Sequence, residues 1–185
     1  SLLAKWMATP DSSVEKTKAL GKLTAKHMGY SFKTMRDFKN KLREMRRYLD
    51  LPEAKMCSGA WSEIEYSKCA SKFLFKYRKA IMKNDAGRWA EYLTKVEKGE
   101  AVMHTDTLTP CDIVHSVRVN YTPDLEVMWK QLPDFCKGNV LVMCDTSGSM
   151  LHMYNSCSSV MPIDVAFGLS LYFAQRNKGD LKDLM

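Results

Sequence analysis

The stretch FKTMRDFKNKLREMRRYLD places Met35, Phe38, Leu42, Met45 and Leu49 at intervals of three, four, three and four residues. That period marks one face of an α-helix. The opposite side carries Arg36, Lys39, Arg43, Arg46 and Arg47. A helix with a single apolar stripe is stable only when another element covers the stripe, so this segment demands helical neighbours. Ser31 is expected to open it. Leu51-Pro52 closes it, because the residue before a proline avoids helical angles.

The neighbours are present. VEKTKALGKLTAKHMGY follows Asp11-Ser12-Ser13, which can accept backbone N–H bonds at a helix start, and Gly29 suits its end. Ser71 is placed to cap KFLFKYRKAIMKN, where Phe73, Tyr77 and Ile81 align. Asp85 is placed to cap AGRWAEYLTKVEKG, with Trp89, Tyr92, Leu93 and Val96 on one face. Thr109-Pro110 and Thr122-Pro123 each pair a capping hydroxyl with a proline, so CDIVHSV and DLEVMWKQL should be short helices. Residues 1–132 thus read as a mainly α-helical unit. A solenoid-like array would suit it, although no fixed-period repeat is visible.

The texture changes after Pro133. NVLVMC is a short, continuous apolar run, the signature of a strand buried on both faces of a parallel sheet. DTSGSM follows as a polar loop, and PIDVAFGLSLYFAQRN reads as an apolar helix. Strand, loop and helix make the first half of a βαβ unit, so residues 133–185 read as the start of a doubly wound α/β domain. The chain lacks an initiator Met and stops where a second strand should begin. It therefore reads as part of a longer protein.

Charge divides the chain as well. The net charge is +7, yet residues 1–100 hold 22 Lys/Arg against 12 Asp/Glu, and residues 101–185 hold 6 against 9. A basic part followed by an acidic part suggests two units with different partners. Lysines and arginines along one helix face are the electrostatic footprint of a nucleic-acid binder. The candidate contacts are Arg36, Lys39, Arg43, Arg46 and Arg47. In KFLFKYRK the aromatic residues share a helical face, which favours core packing over base stacking.

Six cysteines, at 57, 69, 111, 136, 144 and 157, are too dispersed for a structural zinc site and read as reduced thiols. The histidines at 27, 104, 115 and 152 are equally scattered, and read as surface or packed residues. No signal peptide is recognisable, and no apolar stretch approaches the roughly 20 residues that cross a bilayer. An intracellular, cytoplasmic setting is expected, with no membrane partner.

Asp145-Thr146-Ser147-Gly148-Ser149 is the one segment that looks like chemistry. An aspartic protease loop needs glycine where Ser147 stands. A nucleophile elbow needs Gly-x-Ser-x-Gly, and a P-loop needs Gly-Lys-Ser/Thr. A phosphatase of the haloacid dehalogenase kind needs a second aspartate at 147. No histidine is placed to activate a hydroxyl, so a hydrolase using Asp145 or Ser147 is disfavoured and the chain is read as non-enzymatic. A cation site remains, because Asp145, Ser147 and Ser149 offer hard oxygen donors of the kind Mg²⁺ takes.

NVLVMCDTSGSM resembles the first strand and Asp-x-Ser-x-Ser loop of von Willebrand factor A (vWA) domains, the metal-ion-dependent adhesion site. The resemblance covers about residues 138–185. It implies that Ser147 and Ser149 bind Mg²⁺ or another divalent cation directly, with Asp145 acting through water. An acidic group of a protein partner would complete the shell. The family also uses a threonine and an aspartate from later loops, so binding by this fragment should be weak. LLAKWM, YRKAIMKNDAGRWAEYLTKVEKGEA and TLTPCDIVHSV resemble an uncharacterised family of plants, giant viruses and phages that joins a helical region to a C-terminal vWA-like domain. That architecture is similar to the Ro autoantigen family, whose helical TROVE region forms a ring and binds small structured RNAs. The resemblances imply a binding protein that meets a protein ligand through a cation, and RNA through its basic helices. The alternative is an assembly component, such as a viral particle protein located in the virion, with a vestigial metal site.

Overall fold

Helices supply all the regular structure among the described residues, which are 3–152 and 160–184 of a computed structural model. Two compact units divide the chain, Ser1–Ile64 and Glu65–Met185. The change in composition near residue 133 therefore does not coincide with the division in packing.

The first unit contains α1 (Leu3–Trp6), α2 (Glu15–His27), α3 (Met35–Tyr48), α4 (Pro52–Ser58) and a 3-10 turn at Trp61–Glu63. Its core is Ala25, Phe38 and Leu42, flanked by Met7, Tyr30, Met35 and Met45. The three-four spacing of α3 thus buries the stripe it predicted. Ser31 does not open this helix. Its N–H donates to Thr34 Oγ1 at 2.8 Å, which makes a turn, and α3 begins only at Met35. Ser12 likewise serves a turn, accepting from the Val14 amide at 3.2 Å just ahead of α2. At the other end of α2 the Gly29 N–H donates to Lys26 O and the Tyr30 N–H to Ala25 O, with Gly29 at φ +83°. This is the Schellman arrangement that satisfies the last carbonyls of a helix.

Gly21 shows how closely the segment before α2 lies against it. A Cβ built at Gly21 would sit 2.5–2.7 Å from the backbone atoms of Thr9 and Pro10. Alanine gains about 1 kcal/mol of helix propensity over glycine. Forcing backbone apart typically costs about 1–3 kcal/mol. Gly21→Ala is therefore expected to lower the thermal midpoint by several degrees, which differential scanning calorimetry checks.

The second unit contains α5 (Ser71–Asn84), α6 (Ala86–Glu97), α7 (Pro110–Val119), α8 (Asp124–Lys130) and α9 (Pro162–Arg176). Short 3-10 turns lie at Tyr66–Lys68, Gly148–Leu151 and Gly179–Leu181. Helix α5 packs on α6, α6 and α7 on α8, and α7 on α9. Tyr66, Trp89 and Tyr92 form a buried aromatic cluster with centroids 5.2–5.6 Å apart. Phe73 is buried and its ring lies 5.0 Å from that of Tyr77, so these aromatics pack as their spacing predicts.

The caps follow the sequence in part. Thr109 and Asp112 form a reciprocal capping box at the start of α7, with Asp112 N donating to Thr109 Oγ1 and Thr109 N to Asp112 Oδ2. Ser71 instead shares a hydrogen bond with the Thr107 hydroxyl, and α5 starts at Ser71 itself. Asp85 occupies the N-cap position of α6, but its carboxylate goes to the Tyr66 hydroxyl and to Arg88.

The strand expected at 139–144 is not formed, and no strand occurs among the described residues. A strand needs a neighbour to pair its N–H and C=O groups, and no segment among the described residues supplies one. One side chain stands in locally. The buried Asn177 amide accepts from Val140 N at 2.9 Å and donates to Val140 O. Val140, Val142 and Cys144 are half-buried while Leu141 and Met143 are exposed, so the run still shows the period of two. The helix expected after it forms as α9.

Candidate cation site and cationic helix face

Asp145 and Ser147 lie in the exposed approach to the Gly148–Leu151 turn and Ser149 within it, and this turn packs against α9. The Ser147 amide donates to Asp145 Oδ1 at 2.9 Å, and the hydroxyls of Ser147 and Ser149 lie 3.1 Å apart. Met150 N donates to Ser147 O and His152 N to Ser149 O, which fixes the turn. Hydrogen bonds from Ser147 hold the Asp145 carboxyl below its ordinary range, so it is an anion at neutral pH.

These atoms fit a small hard cation in one specific respect. At the 2.0–2.1 Å bond length of Mg²⁺, two adjacent ligands of an octahedron are about 3 Å apart. The two hydroxyls are hydrogen-bonded to each other, and their separation is close to that edge. No group of three or more His, Cys, Asp or Glu side chains able to hold a metal occurs among the described residues. Any cation site here therefore depends on the serines. No disulfide joins the described cysteines, and Cys157 lies outside the described residues.

The five candidate phosphate contacts among the basic residues of α3 have different duties. Arg46 Nε donates to Ala4 O at 2.9 Å and its other terminus to Met7 O at 2.7 Å, so this guanidinium fastens α1 to α3. Lys39 pairs with Asp11 at 3.4 Å, and Arg43 donates to Asn40 Oδ1 at 3.2 Å. Arg36 and Arg47 are exposed. Lys39, Arg43, Arg46 and Arg47 line a groove of about 400 Å³ with Leu42 at its floor. The groove is cationic, with Asp11 as its one carboxylate.

One cluster escapes a reading by motif. The fully buried Asp164 carboxylate accepts from Arg118 Nε at 2.7 Å, from the second Arg118 nitrogen at 3.1 Å, and from the Met161 amide at 3.1 Å. His115 Nδ1 lies 2.7 Å from it. Burial alone would raise the pKa of this carboxyl, but the bonds from Arg118, His115 and Met161 win and hold it at about 2. Every partner comes from α7 or from the start of α9, so the anion clamps the two helices. The available signal was His115 and Arg118 one turn apart, with Asp164 in the first turn after Pro162.

No curated protein and no solved structure matches the chain. The family described as a domain of unknown function (DUF2828) matches residues 1–139, which takes in the cationic groove of α3 and ends before Asp145. The match spans well over half of the sequence, and the chain belongs to that family.

Proposed function

We propose that this chain is a non-enzymatic binding protein that meets an acidic group of a protein partner through a divalent cation held at Asp145, Ser147 and Ser149. The carrying observation is the 3.1 Å separation of the two serine hydroxyls beside an ionised carboxylate. A bound cation would supply positive charge with positions left for water and for the partner's carboxylate. The likeness of NVLVMCDTSGSM to the vWA adhesion motif supports the same reading. The serines ligate, and the Asp145 carboxylate, oriented by the Ser147 amide, balances the charge. A hydrolase using Asp145 or Ser147 stays the less favoured reading, because the sequence places no histidine to activate a hydroxyl.

A second activity, RNA binding by the first unit, is favoured by the cationic groove on α3. The architecture shared with the Ro family supports it.

Manganese tests the cation reading. At low millimolar Mn²⁺ the NMR amide signals of residues 145–149 should broaden selectively, and the Ser147→Ala/Ser149→Ala variant should lose the effect. Both serines are exposed, so the variant should keep the fold. Uniform broadening, or unchanged broadening in the double variant, removes the cation reading and leaves an assembly role for this segment.

A further inference from the structure

A second groove in the first unit, of about 700 Å³, opens between the C-terminal half of α2 and the turn that precedes α3. Lys22, Lys26 and Lys39 rim it, with Tyr30, Phe32 and Met35 as its apolar part. We propose that this groove binds single-stranded RNA, with a base stacked on Phe32 and the flanking phosphates held by Lys22, Lys26 and Lys39. The proposal rests on the RNA-binding reading above and gives it a place.

Phe32 carries the argument. Its side chain is 94% exposed, the most of any large apolar residue described. It does not dangle from a loose loop. The Ser31 amide donates to Thr34 Oγ1 at 2.8 Å, and Thr34 N donates back to Ser31 O at 3.1 Å. Those bonds hold Phe32 at the tip of a fixed turn. Its neighbour Tyr30 is engaged elsewhere, packed against Phe38 at 5.2 Å between centroids. The turn therefore presents one ring to solvent while the other completes the core. A ring fixed outward beside positive charge is what a base needs for stacking, and every base has a face to offer. Bases in a duplex are already stacked on one another, so the expected ligand is single-stranded.

The charge has the matching arrangement. Lys22 and Lys26 lie one turn apart on α2, and neither has an ion-pair partner among the described residues. Lys39 faces them from α3. Its pairing with Asp11 at 3.4 Å is a half-exposed contact that a phosphate could displace. No carboxylate lines the groove. Lys39 also lines the groove that holds Arg43 and Arg47, so positive charge continues along α3 for the next phosphates. Gly29 adds room, because a Cβ built there would meet nothing within 4 Å.

Fluorescence anisotropy on the full chain tests the site, using a labelled 12-nucleotide oligouridylate and a 12-base-pair RNA duplex across a salt series. Phe32→Ala should weaken oligouridylate binding about tenfold and leave the salt slope unchanged. Lys22→Ala/Lys26→Ala should weaken it and flatten the log–log salt slope by about 1.4, since each single-strand phosphate contact contributes about 0.7. All three positions are exposed, and circular dichroism should confirm unchanged helix content. Binding that survives these variants but is lost in Arg43→Ala/Arg47→Ala overturns the groove while RNA binding stands. Tighter binding of the duplex than of the single strand also overturns it. Absence of binding to either RNA at low salt overturns both the groove and RNA binding by this unit.

Discussion

Arg78→Met is expected to destabilise the second unit by about 3–5 kcal/mol, the range for breaking a buried ion pair from one side. Arg78 Nε and Asp124 Oδ2 lie 3.7 Å apart with both side chains nearly inaccessible to water. The pair joins α5 to the first residue of α8. Arg78 is held by other contacts as well, donating to Phe75 O at 2.6 Å and lying over the Phe75 ring at 4.6 Å. Burial lowers the pKa of the guanidinium, and the charge of Asp124 opposes that shift. Asp124 has no comparable support: neither carboxylate oxygen has a hydrogen-bond partner among the described residues. Methionine keeps much of the arginine stem and removes the charge, which strands a carboxylate in the core. Adding Asp124→Leu should recover more than half of the loss, because replacing both charges with apolar groups removes the desolvation cost of each. Urea titration of the two single variants and the double variant measures the coupling directly. Additive losses would show that the two side chains act independently.

Asp164→Ala is the second large effect, at about 3 kcal/mol. The substitution removes the partner of Arg118 and His115 and uncaps the Met161 amide at the start of α9. Arg118 is partly exposed and regains water, which keeps the cost below that of a charge stranded in the core. Acid titration separates this role from simple packing. The folded pKa of about 2 lies below the ordinary carboxyl value of 3.8. The stabilisation is thus complete above about pH 4 and disappears as pH falls through 2. The shift corresponds to roughly 2 kcal/mol. Asp164→Asn keeps the shape and should flatten the stability profile between pH 4 and 2. A variant profile parallel to the wild type would remove Asp164 as the responsible group.

What could be read from the sequence follows the range of the interaction. Helix α3 was legible because Met35, Phe38 and Leu42 express a local period, and α7 because Thr109, Pro110 and Asp112 make a local cap. The run Val140–Cys144 looked like a strand from its apolar content. Pairing is a non-local property, and among the described residues Val140 is partnered by the Asn177 side chain, 37 residues away. Asp145, Ser147 and Ser149 were legible as a spaced motif, and their closeness follows from a short turn. Lys22, Lys26 and Phe32 were not, because they share a groove only after Gly29 reverses the chain between α2 and α3.

The aromatic cluster of Tyr66, Trp89 and Tyr92 has an optical consequence. Trp89 is 2% exposed, and its emission should shift to the red when the second unit unfolds. Trp6 in the first unit is 79% exposed and already solvated, so unfolding changes its surroundings little. Trp61 of the first unit and Trp129 of the second are both half-buried, so the contrast between Trp89 and Trp6 weights tryptophan emission towards the second unit, whereas far-ultraviolet dichroism sums the helices of both. Superimposable denaturation curves from the two signals would show the units melting as one cooperative body, and separated curves would give each its own midpoint.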